Sequence, residues 1–236
     1  MVIVSTPFVN YLSMKVGKTM AESIVLDTTL EEYRKYFSGA CAEPPSGARW
    51  SAPDDTVRIV GMRGSDVADT EAVWGFVPQW RTYADNPAYY AAGASIHREW
   101  TLSVAFRNWR CIVPASSLVS LREVDGVMMC YKLSRTGGGL MLLGGIFEPN
   151  PRHVGAKAPT VALVTTVPNR MLAPHGLPVP LLLNRKQIMP WLRSRTNIDL
   201  VNDFIQPPGE NSLKLAITVE PSVSTDNQEA VDLQFA

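Results

Sequence analysis

Cysteine is scarce in this chain. Cys41, Cys111 and Cys130 form no C-x-x-C pair and cannot close an even set of disulfides. The three histidines, His97, His153 and His175, lie far apart and no H-E-x-x-H occurs, so a zinc site has no footing. Also missing are G-x-x-x-x-G-K-[ST], a G-x-G-x-x-G after a strand, and G-x-S-x-G, which removes P-loop, dinucleotide and α/β-hydrolase readings. The expectation is therefore no metal and no cofactor. No apolar run is long enough to span a bilayer, because Pro or Gly breaks the longer ones. The opening MVIVSTPFVNYL lacks the basic start of a secretory signal. A cytoplasmic protein with no membrane partner is expected.

Acid is missing locally. From Pro149 to Ile198 there is no Asp or Glu, while Arg152, Lys157, Arg170, Arg185, Lys186, Arg193 and Arg195 all fall there. The stretch Asp199 to Ala236 is the reverse, with Lys214 its lone cation. A formal net charge of zero thus hides a basic region and an acidic one.

With 236 residues, 46% of them hydrophobic, the chain can bury a full core. Thr28 or Thr29 followed by Glu31 or Glu32 is a capping box, and Leu30, Tyr33 and Phe37 then share a helical face. Strands are expected at Thr56–Met62, Ala72–Val77, Cys111–Val113, Thr160–Thr166, Leu181–Leu183 and Leu213–Val219. Gly126–Leu133 and Leu140–Phe147, joined across the three glycines 137–139, read as a hairpin. Short helices are expected at Arg185–Leu192 and Asp199–Ile205. The sum is an α+β fold, a single domain with a mainly antiparallel curled sheet or open barrel and short helices.

Four stretches carry a resemblance. They are WGFVPQW at Trp74–Trp80, RCIVPA at Arg110–Ala115, TTVPNRMLAPHGLPVPLLL at Thr165–Leu183, and WSAP at Trp50–Pro53. In this order and spacing they resemble the SOS-response-associated peptidase (SRAP) family, over about residues 20 to 230. That resemblance implies a role in the DNA damage response. Family chains begin Met-Cys-Gly-Arg-Phe, and removal of the methionine leaves an N-terminal cysteine. Its thiol and amine trap the aldehyde of an abasic site in single-stranded DNA, with an Asn, a Glu and a His moving protons.

Each carried-over position departs from the family. Its opening falls on Met20-Ala21-Glu22-Ser23-Ile24, so the nucleophile position is Ala21. The Asn position is Tyr90, the DNA-facing Arg position Ala92 and the Glu position Ser120. The His position is Gly176, with His175 a remnant one place earlier. Residues 1–19 read as an N-terminal extension and 20–236 as the SRAP-like domain.

Two function classes follow. One is a pseudoenzyme that binds single-stranded DNA without a covalent link, through Arg110, Arg152, Arg170, Arg185, Lys186, Trp80 and Tyr90, with Trp74, Tyr89 and Trp109 as further stacking surfaces. The other is a protein-binding or structural role, with the extension covering the vacated cleft. A different reaction through Cys111 or His175 is a third reading, disfavoured because a buried thiol is inert.

Overall fold

The computed structural model describes residues 20–37 and 47–219. The expected extension, Cys41 and the end of the acidic stretch lie outside the described residues. In chain order the strands are β1 (Met20–Leu26), β2 (Arg49–Ser51), β3 (Thr56–Arg63), β4 (Asp66–Trp74) and β5 (Tyr90–Ala92). Next come β6 (Arg110–Ala115), β7 (Ser117–Val124), β8 (Val127–Arg135) and β9 (Met141–Glu148). The series ends with β10 (Thr160–Thr166), β11 (Val179–Pro180), β12 (Leu182–Leu183) and β13 (Leu213–Val219). Among the described residues four short α-helices accompany them: α1 (Leu30–Tyr36), α2 (Trp100–Asn108), α3 (Ile188–Leu192) and α4 (Ile198–Asp203).

The strands form two sheets of a mixed α+β domain. One is antiparallel in the order β13-β8-β7-β1-β2. The other runs β11-β10-β4-β3-β6-β9-β12, and a further β9–β10 pairing closes five of its strands on themselves. Antiparallel pairs dominate, as expected; β10 is the exception, pairing parallel with β4 and β5. β6 and β9 are buried nearly throughout, so their sequences read as continuous apolar runs rather than alternating ones.

Alternate residues of this barrel-like sheet feed two cores. Ile59, Cys111, Val113, Leu143 and Leu163 join Ile24 and Leu133 of the other sheet. Val60, Ile112, Leu142, Ile146 and Val164 pack with Tyr33, Phe106 and Trp191 of the helices. At the start of α1 the Thr29 hydroxyl accepts the Glu32 N–H at 3.1 Å, the cap the sequence announces. Among the described residues no helix is long and apolar enough to cross a membrane.

Two expectations need correction. The segments flanking the three glycines are not a hairpin: β8 pairs with β7 and β13, whereas β9 pairs with β6, β10 and β12 in the other sheet. Gly137, Gly138 and Gly139, all with φ of 82–84°, carry the chain between sheets. β8 instead forms a hairpin with β7, closed by Asp125 (φ 51°) and Gly126 (φ 79°), the left-handed pair of a type I′ turn. The strand expected at 72–77 starts earlier and stops at Trp74, where Gly75 takes φ 150°. Helix α2 was not expected at all.

Candidate functional site

The five-stranded sheet places Ala21 and Glu22 on β1 directly opposite Leu121 and Ser120 on β7. Tyr90 reaches the same place from β5, held by its parallel register with Leu163 of β10. The 3-10 turn Ala173–His175 brings His175 and Gly176 to the rim. Glu22, Tyr90 and Ser120 thus line one cleft, with His175 and Gly176 at its rim and position 21 next along β1, paired with Leu121.

That cleft is filled by its own side chains. The Tyr90 hydroxyl donates to Glu22 Oε2 at 2.5 Å, and the Tyr90 ring sits edge-on to buried Trp74 at 5.8 Å. Arg122 lies 3.7 Å from the other Glu22 oxygen and donates to the Gly176 carbonyl at 2.8 Å. The His175 ring packs on Tyr131 at 5.6 Å. The space left beside Glu22, Tyr90, Ser120 and Tyr131 is about 30 Å³, enough for about one water and not for a sugar. Ser23 and Ser120 present buried hydroxyls with no protein partner, which fits such a water.

Burial, then the Glu22 charge and hydrogen bond, hold the Tyr90 phenol well above its usual range, so it stays neutral. Burial also pushes the Cys111 thiol up, as expected of an inert structural cysteine. The backbone of β1 continues through Met20, which pairs with Arg122, so the nitrogen of residue 21 is an amide inside a paired strand. Among the described residues no cluster of His, Cys, Asp or Glu is arranged to hold a metal ion.

The surface candidates divide. Arg110 is only 2% exposed and is removed from any surface role. Its guanidinium donates to the carbonyls of Phe106, Arg107, Trp191 and Arg193, and burial lowers its pKa to about 10. Tyr90 is engaged in the cleft and Trp74 is core, its indole N–H donating to the Tyr89 carbonyl at 3.0 Å. Tyr89 donates to Asp54. Arg152, Arg170, Arg185, Lys186 and Trp80 are exposed. Sequence reasoning missed Glu22, Arg122 and Tyr131 in the cleft and Trp100 on the surface. For Glu22 a signal existed, since it stands where the resembling chains have glycine.

The family model for SOS response associated peptidase (SRAP) matches residues 21–225. No curated protein matches the chain in sequence. A protein from Bordetella bronchiseptica has a similar fold, with TM-score 0.67, 18% identity, and coverage of 84% of this chain and 99% of that one. A phage-related protein from the same organism gives 0.66 and 17%, covering 83% of this chain and 93% of its own. A Bacteroides thetaiotaomicron protein gives 0.62 and 15%, covering 84% of each chain. At these identities the likeness speaks for the fold alone.

Proposed function

The chain belongs to the SOS response associated peptidase (SRAP) family, and from that premise we propose a member without the family's covalent chemistry that binds single-stranded DNA non-covalently. The observation that carries the first half is the Tyr90–Glu22 hydrogen bond inside the closed cleft. A thiol and a free amine trap an aldehyde as a thiazolidine, with a carboxylic acid to move protons. Here those positions hold Ala21, a peptide nitrogen and Ser120. Supporting the second half are the DNA association of the family and the acid-free window, whose cations Arg152, Arg170, Arg185, Lys186, Arg193 and Arg195 are exposed. The N-terminal segment 1–19 belongs to this reading as an extension ahead of the SRAP-like domain.

Two measurements test it. Incubation with abasic single-stranded DNA should leave no heat-stable adduct on a denaturing gel; a shifted band would end the pseudoenzyme reading. Titration of a labelled oligonucleotide at several salt concentrations should give a log–log slope near about −3, for about four phosphate contacts at about −0.7 each. The competing reading is a protein-binding role, which predicts no such slope.

A further inference from the structure

Three tryptophans stand exposed together on this molecule: Trp80 at 57%, Trp100 at 68% and Trp109 at 40%. A lone exposed aromatic is unremarked in a soluble protein, but a contiguous apolar patch marks an interaction site. The Trp80 and Trp100 rings lie 5.9 Å apart, tilted by 38°, and the Arg81 guanidinium sits 5.6 Å over Trp80. With Val104, Trp109 and Arg152 they line a groove of about 360 Å³.

Trp109 also lines a second groove, about 590 Å³, together with Ser65, Arg193, Ser194 and Arg195 and with no acid. Ser65 in turn borders a third, about 470 Å³, that Arg185 lines. Glu148 and Asp66 are the acids along the three. Glu148 accepts the backbone N–H groups of Gln79 and Asn150, and Asp66 accepts from the Ser65 hydroxyl. Arg152, Arg193 and Arg195 have no ion-pair partner among the described residues. None of the three grooves shares a lining residue with the filled cleft.

We propose that these joined grooves are a binding track for single-stranded nucleic acid, with bases stacked on Trp80, Trp100 and Trp109 and phosphates held by Arg152, Arg193, Arg195 and Arg185. The inference rests on the DNA-binding reading above and moves it away from the family's cleft. Aromatic platforms interleaved with cations are the chemistry that holds unpaired strands without sequence preference. A proline-rich peptide would use the tryptophan pair alone and leave the acid-free second groove unexplained.

The test is fluorescence anisotropy with a labelled oligothymidine of about 15 nucleotides, a length within the site sizes of such surfaces. Trp80→Ala with Trp100→Ala should weaken binding at least about tenfold, while the salt slope stays put, because stacking releases no counterions. Arg193→Ala with Arg195→Ala should flatten the slope by about 1.4. Lys132→Ala, exposed on the opposite sheet, should change the affinity little. The substituted residues are exposed, so the variants fold, and Trp80→Phe with Trp100→Phe should recover most of the loss. If both double variants bind like the parent, the track is overturned while DNA binding stands. If the parent binds no oligonucleotide, the track and the DNA reading fall together; binding of a proline-rich peptide through Trp80 instead would assign the groove to protein contacts.

Discussion

Arg110 does at the residue scale what its sequence context conceals. Its donors reach carbonyls at the ends of α2 and α3 at 2.6–3.0 Å, so one buried cation ties two helices to the start of β6. Arg110→Met would leave those carbonyls buried and unpaired. The expected loss is at least about 3 kcal/mol, read from the urea midpoint, against within about 0.5 kcal/mol for exposed Arg152→Ala. The tyrosines set an alkaline limit. Tyr90 is raised well above its free value, and burial with the Asp54 hydrogen bond pushes Tyr89 up to about 12. The folded state therefore keeps protons that the unfolded chain releases. That contribution is intact below about pH 10 and is lost as pH rises through the folded values. Urea midpoints should fall as pH rises from about 10 to about 12, and less steeply in Tyr90→Phe. Tyr90→Phe should also cost about 1–2 kcal/mol at neutral pH, since Glu22 keeps only Arg122.

At the scale of elements, the sequence is clear where local rules dominate and misleading where sheets exchange strands. The cap of α1, the edges of β13 and the run of β10 lie where their residues put them. Two apolar runs around three glycines look like a hairpin, but neither run records which sheet it joins. Asp125-Gly126, a stronger turn signal, marks the true hairpin. Helix α2 buries Leu102, Ala105 and Phe106 on one face. Its exposed Trp100 and Val104 blur that period, so the apolar pattern does not announce a helix there. Close packing gives a sharp prediction at β9. A Cβ at Gly144 would stand 2.6 Å from Leu181 Cδ2 and 3.2 Å from the Trp191 ring. Gly144→Ala should cost about 1–3 kcal/mol by overpacking, measured by thermal or urea unfolding.

At the scale of the whole molecule, the cleft is assembled from β1, β5, β7 and the turn before Gly176, so on the proposed reading installing the family's chemistry is a problem of register. Ser120→Glu alone would set a carboxylate directly across the strand pair from Glu22. Gly176 sits at φ +60°, a left-handed backbone that favours glycine, whereas His175 already packs at the rim. A chain begun at Met20 with Ala21→Cys, Tyr90→Asn and Ser120→Glu should form no adduct with abasic DNA. Adding Glu22→Gly should allow one, visible as a heat-stable band on a denaturing gel. The sequence by itself determined the family frame and the strand-rich α+β class, because motif order and apolar runs are local properties. It also placed positions 21, 90, 120 and 175–176 in a common frame. Only the tertiary structure decided that Tyr90 and Glu22 close the cleft, that Arg110 is core, and that Trp80, Trp100 and Trp109 meet across grooves lined with arginine. Those outcomes depend on which face of which strand turns inward, and on contacts between residues tens of positions apart.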